Sequence, residues 1–212
     1  MILPLSSNAQ RAVLVAVSFA VALFLSYFSI RNALASHYAG FETAEACERA
    51  VRLEPANPQN WYLLGRYWQY NLADPDAARA IRSYLSALSL NPGSWDTWLD
   101  LAAAYESEAN LAAARDAFLH AKNVYPLSAE VSWRYGNFLL RQGELEPAFT
   151  EMRHAVEADS QRAAEAFSRS LRADASVETA LDRVLPPISE AYLDVIWDQT
   201  TGGQTGNALK VW

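Results

Sequence analysis

"WLDLAAAYESEANLAAARDAF", Trp98 to Phe118, sets large and small side chains in a fixed order. Trp98, Leu101, Ala102 and Tyr105 come first, and Ala114, Phe118, Ala121 and Pro126 follow. The same order recurs on both sides. Thirty-four residues before the second set stand Ala80, Tyr84, Ala87 and Pro92; thirty-four after it stand Ala148, Met152, Ala155 and Ser160. Gly136 and Tyr135 stand one period after Ala102 and Leu101. Upstream, Trp61, Leu64, Gly65 and Trp68 repeat the first set at a distance of 37 residues. The three extra residues fall in "QYNLADPDAAR", where Asp74-Pro75-Asp76 signals a turn and predicts a longer connection.

A fixed period of this length means stacked helical hairpins. Leu64, Gly65 and Trp68, like Leu101, Ala102 and Tyr105, recur at helical spacing and make one apolar stripe. The small residue on the first helix of each pair admits the second helix closely, and the aromatic on the second fills the space beside it. Pro55, Pro92 and Pro126 cannot continue a helix, so each ends a hairpin. A single hairpin cannot bury its apolar face, and stacking makes a continuous core.

On these residues the chain resembles the tetratricopeptide repeat (TPR) family, whose 34-residue repeat carries W-x2-L-G-x2-Y, A-x3-F and P. Here the pattern reads Trp61-x2-Leu64-Gly65-x2-Trp68 with Ala80-x3-Tyr84 and Pro92, then Trp98-x2-Leu101-Ala102-x2-Tyr105 with Ala114-x3-Phe118 and Pro126. A third copy from Ala129 keeps Tyr135-Gly136, Leu139, Ala148, Met152 and Ala155, with Ser160 in place of the proline. The resemblance implies an all-α fold, a right-handed solenoid of stacked hairpins.

Both flanks depart from the pattern. Cys47, Ala50 and Pro55 stand where Tyr84, Ala87 and Pro92 stand, so residues 40–54 read as the second helix of a degenerate repeat. The expected divisions are an N-terminal tail over 1–11, a membrane helix over 12–36 and a half or degenerate repeat over 37–57. Repeats follow over 58–94, 95–128 and 129–162, then a degenerate hairpin over 163–188 and an incomplete repeat over 189–212. That last segment carries Tyr192, Val195 and Ala208-x3-Trp212. Its second helix is expected to begin near Ala208 and to leave Trp197, Val211 and Trp212 as an uncovered apolar edge, a surface for self-association.

Ala12 to Ile30, "AVLVAVSFAVALFLSYFSI", has no charge and is bounded by Arg11 and Arg31. As a helix it spans about 28 Å, close to the roughly 30 Å hydrocarbon core of a bilayer. It is therefore expected to anchor the chain. The alternative is a cleaved signal peptide with Ala33-Leu34-Ala35 as the A-x-A site, yet signal h-regions run only about 7–15 residues and Arg31 interrupts the approach. The Lys and Arg count on the two sides is nearly tied, so the positive-inside rule decides little. The export-like N-terminus and the similarity to bacterial single-span repeat proteins imply an inner-membrane protein with its repeats on the non-cytoplasmic side.

Beyond residue 31 lie all 24 acids and 15 of the 17 Lys and Arg, a net charge of −9. Such a surface repels phosphate backbones and argues against a nucleic-acid partner. Cys47 is the sole cysteine, so no intramolecular disulfide forms, and its place on a helix predicts a packing role.

Catalysis finds little support. His120 and His154 stand one period apart on equivalent faces, but neighbouring helices sit about 8–10 Å apart and no HExxH or cysteine pair accompanies them. No metal or cofactor is expected. Gly202, Gly203 and Gly206 lack the strand and the GK[ST] of a phosphate loop and read as a helix-to-helix turn.

Binding remains. In the family that the chain resembles, the first helix of each repeat lines a concave groove that receives a peptide or partner helix. The positions carried over are Tyr62, Arg66, Gln69 and Tyr70, then Leu99, Ala103 and Glu106, then Trp133, Asn137, Leu140 and Arg141. Family members that clamp a chaperone's carboxy-terminus use lysine and asparagine; Asn137 alone fits that set, while Leu99 and Trp133 replace cations. Two roles follow from the resemblance: a membrane-anchored scaffold for a protein or peptide, or an accessory subunit of a bacterial envelope or polysaccharide assembly and export complex.

Overall fold

The structure is a computed structural model that describes residues 8–173 and 176–212; residues 1–7 of the expected tail lie outside it. Every regular element among the described residues is helical. The chain divides into two compact units, Met1–Asn91 and Pro92–Trp212.

The first unit holds α1 (Asn8–Ala39), α2 (Ala44–Leu53), α3 (Pro58–Tyr70) and α4 (Ala77–Leu90). Capping sets its boundaries: Thr43, Asn57 and Asp76 each accept a backbone N–H of the helix they precede, and Pro58 pre-sets the first turn of α3. α1 is one continuous helix, longer at both ends than the expected span. Its apolar residues from Val13 to Leu25 are exposed, whereas Ala35, near its other end, is fully buried where α1 packs on α2. α3 and α4 pair through Gly65. A Cβ there would come within 2.6 Å of the Tyr84 ring, so only glycine lets the fully buried Tyr84 lie against the α3 backbone.

The second unit holds α5 (Trp95–Ser107), α6 (Leu111–Val124), α7 (Ala129–Arg141) and α8 (Leu145–Ala158). A 3₁₀ turn at Ser160–Arg162 then leads to α9 (Ala163–Arg172), α10 (Val177–Arg183), α11 (Ser189–Thr201) and α12 (Thr205–Val211). The pairs α5–α6 and α7–α8 are antiparallel hairpins in contact along their length. Phe118 of α6 joins them to α7, its ring 5.5 Å from Tyr135 and 5.1 Å from Phe138. Gly136 admits α8, with the backbone of Ala148 and the side chain of Met152 each 3.3 Å from where a Cβ would stand. Both hairpin turns use a left-handed residue, Ala109 at φ 56° and Gly143 at φ 74°.

The tryptophan and proline of the repeat are joined by a hydrogen bond. Trp61 Nε1 donates to the Pro55 carbonyl and Trp98 Nε1 to that of Pro92, each at 2.9 Å. The first helix of a hairpin is thereby tied to the turn before it. The third copy has Ser132 at that position and lacks the tie.

Two expectations for the C-terminal segment need correction. α12 begins at Thr205, three residues before Ala208, and Gly206 lies inside it. Val211 does not belong to an open edge, because it packs in a cluster with Phe149, Phe167, Val177, Val184 and Val195. Trp197, Leu209 and Trp212 are exposed. The difference is one of helical phase: Ala208 and Val211 share the face turned to the core, and the residues between and after them do not.

Candidate binding faces on the first helices

The expected groove residues fall on α3, α5 and α7, and the two units treat them differently.

On α3, Arg66 is exposed and sits between two tyrosines of its own helix. Its guanidinium carbon lies 5.9 Å from the Tyr62 ring centre and 5.8 Å from that of Tyr70. Spacing of four residues places these rings on successive turns, within cation–π range of the guanidinium between them. Arg66 takes part in no ion pair among the described residues. Gln69 is half-buried, and its Oε1 accepts a 2.6 Å hydrogen bond from Tyr84 Oη. Gln69 therefore fastens α3 to α4.

Beside this cluster the first unit has a cavity of about 500 Å³ lined by residues that include Phe41, Cys47, Leu63, Tyr67, Tyr70 and Leu72. Burial, before any other cause, pushes the Cys47 thiol up from its ordinary pKa, and Glu42 and Glu48 push the same way against a backbone hydrogen bond. The cysteine packs; its thiol points at the Phe41 carbonyl, 3.7 Å away.

On α5 and α7 the polar candidates are engaged within the unit. Arg141 grips Glu106 with both prongs, at 2.7 and 2.8 Å. Asn137 accepts from Arg169 Nη1 at 2.7 Å and donates to the Trp133 carbonyl at 2.8 Å. The Trp133 ring lies 5.4 Å from the guanidinium of Arg162 and 5.2 Å from that of Arg169. Arg134 donates to Asp100 and to the Leu99 carbonyl, each at 3.0 Å, and Arg162 to Glu130 at 2.9 Å. These arginines form a ladder from α5 to α7 to α9. Leu99 is a correction to the expected set: its side chain is fully buried, because its position on α5 belongs to the core stripe. Leu140 packs on the core cluster in the same way.

Neither the ladder nor the cavity is legible in the repeat pattern alone. An acid and an arginine about one period apart, as in Asp100 and Arg134, were the available signal for the ladder. The three added residues before Asp74 were the signal for the cavity.

The histidines have separate surroundings. His120 stacks on Trp98 at 4.5 Å between ring centres, and His154 Nδ1 lies 3.8 Å from Glu151. Among the described residues no group of three or more His, Cys, Asp or Glu is arranged to hold a metal. Gly203, at φ 76°, makes the turn between α11 and α12.

No family model matches the chain, and no curated protein does. Solved structures do. A crystal structure of MamA is similar with a TM-score of 0.52 and 16% identity over 79% of this chain and 81% of that one. Another of the MamA protein gives 0.54 and 15% over 87% of each. The crystal structure of YrrB, described as a TPR protein with an unusual peptide-binding site, gives 0.54 and 16% over 80% of this chain and 90% of that one. Likeness at such identities is a likeness of fold, and it agrees with the hairpins, the Gly65–Tyr84 contact and the tryptophan–proline ties: the chain has the tetratricopeptide-repeat fold.

Proposed function

We propose that the chain is a membrane-tethered scaffold that holds a protein or peptide partner, with the face of α3 as its principal contact. The observation that carries this reading is the cluster of half-buried Tyr62 with exposed Arg66 and Tyr70 beside a cavity, set against the arginine ladder that engages the polar groups of α5 and α7. Aromatic and arginine side chains are the usual energetic centres of interfaces. The peptide-binding site named for YrrB supports the same class of ligand on the same fold.

The tether is α1. The apolar stretch of this helix is uncovered by the rest of the described chain and is long enough to cross a bilayer. Ala35, the last residue of the A-x-A triplet, is buried inside a continuous helix, which favours an anchor over a cleaved leader. Nine residue steps along that helix lead from Ile30 to Ala39, which lines the cavity. At about 1.5 Å per residue they hold the α3 face about 13 Å from the hydrocarbon.

Two measurements test the reading. Alkaline carbonate washing should leave the full-length chain with the membrane; a soluble form beginning at Ser36 would establish the leader instead. A photocrosslinking side chain at Tyr62 should capture a discrete partner from intact membranes, and one at Arg115 should not. Equal capture at both positions would place the partner elsewhere.

A further inference from the structure

The three residues added to the connection after α3 build one wall of the cavity. Asn71, Leu72 and Ala73 line it together with Phe41, Leu63 and Tyr67. The loop is held open by its own hydrogen bonds. Asn71 caps α3 and accepts from the Ala73 N–H at 3.2 Å; its amide donates to the Asp74 carbonyl and to Tyr67 Oη, each at 3.3 Å. The Asp76 N–H closes the loop on the Trp68 carbonyl at 2.8 Å. Yet this braced loop leaves Leu72 wholly exposed, at 102% of its reference area. A leucine held in water at the mouth of a cavity lined by aromatic and aliphatic groups lacks an apolar neighbour.

We propose that the cavity is a side-chain socket. It receives one large apolar side chain, aromatic or leucine-sized, from an extended peptide whose adjacent carboxylate meets Arg66. Leu72 closes over the inserted side chain, and Tyr70 flanks it. The cavity falls within the roughly 300–1,000 Å³ of small-ligand sites, which admits a side chain with the backbone that bears it. Charge fixes the chemistry further. Beyond the apolar stretch the first unit is balanced, with 6 Lys and Arg against 6 acids, whereas the second has 10 against 18. An acidic peptide is therefore accommodated at Arg66 and repelled by the second unit. Glu42 also lines the socket, so one acid beside the apolar residue is favoured over acids on both sides.

This proposal rests on the reading of α3 as the partner face, and the test separates the two. The full chain in lipid nanodiscs would be titrated with acetylated tetrapeptide amides Ala-Phe-Glu-Ala and Ala-Glu-Phe-Ala, and with versions carrying Ala for Phe or Gln for Glu. At least one Phe peptide should bind about tenfold more tightly than its Ala counterpart, the effect of burying one aromatic side chain. Leu72→Ser and Arg66→Gln, both at exposed positions, should each weaken it about fivefold. Equal affinity for Phe and Ala peptides, indifference to Leu72→Ser, or no binding up to millimolar concentration would each overturn the socket. If Tyr62 still captured its partner in the Leu72→Ser chain, the socket alone would fall and the α3 face would stand.

Discussion

The α3 face of the first unit and the α5–α7–α9 face of the second both belong to first helices of hairpins and have opposite characters. On α3 an arginine lies between two tyrosines of its own helix and forms no ion pair among the described residues. On the other face four arginines, at 134, 141, 162 and 169, reach across to neighbouring helices. The same residue type thus provides cohesion in the second unit and, on the function proposed above, recognition in the first. Reach decides this within the second unit, where each of these guanidiniums has a carboxylate or amide on a neighbouring helix and is consumed by it. A repeat position marks where a side chain stands, and its neighbours set what it does.

The comparison is sharpened first by the core beneath the second face. Phe118→Ala should lower unfolding stability by about 3–5 kcal/mol, because Phe118 is buried between Tyr135 and Phe138 and its removal leaves a cavity. Urea denaturation of the full chain in detergent would read this, and an unchanged midpoint would break the assigned packing. Next comes the close approach in the first unit. Gly65→Ala should cost about 1–3 kcal/mol, since the added methyl meets the buried Tyr84 ring. Gly136→Ala, whose nearest neighbours stand 3.3 Å off, should cost less.

Arg134→Ala against Arg66→Ala tests the division itself. Loss of Arg134 removes the arginine's charge-assisted hydrogen bond to the mostly buried Asp100 carboxylate and its bond to the Leu99 carbonyl, so about 1–3 kcal/mol of stability should go with it. Arg66→Ala should leave the unfolding midpoint in place and reduce partner capture at Tyr62. A destabilised Arg66 variant, or an Arg134 variant with stability intact, would erase the distinction drawn between the faces. Arg141→Ala should have a smaller effect, about 0.2–1 kcal/mol, because its pair with Glu106 is half in water.

The smallest effect is expected at the hairpin turns, and it is a gain. Ala109 occupies the left-handed position that Gly143 fills one period later. A side chain there costs about 1–2 kcal/mol, of which glycine's greater loss of freedom on folding returns about 0.5–1. Ala109→Gly should therefore raise thermal stability slightly, by about 0.5 kcal/mol.

The period of 34 residues, the small-to-large pairing of Gly65 with Tyr84 and the placement of Pro55 and Pro92 determine the hairpins by themselves. Each is a local requirement, met within a few turns of helix or across one tight crossing. The apolar stretch before Arg31 is legible for the same reason, since its length and lack of charge are properties of one segment. Tertiary structure decided the rest. Several acids lie within reach of each long arginine, and only the packed helices select Glu106 for Arg141 or Asn137 for Arg169. Leu99 and Val211 entered the core through helical phase against neighbours distant in sequence. The three added residues after Trp68 announced a longer turn; that Asn71 braces it beside a cavity and leaves Leu72 bare depends on α1, α2 and α3 meeting there.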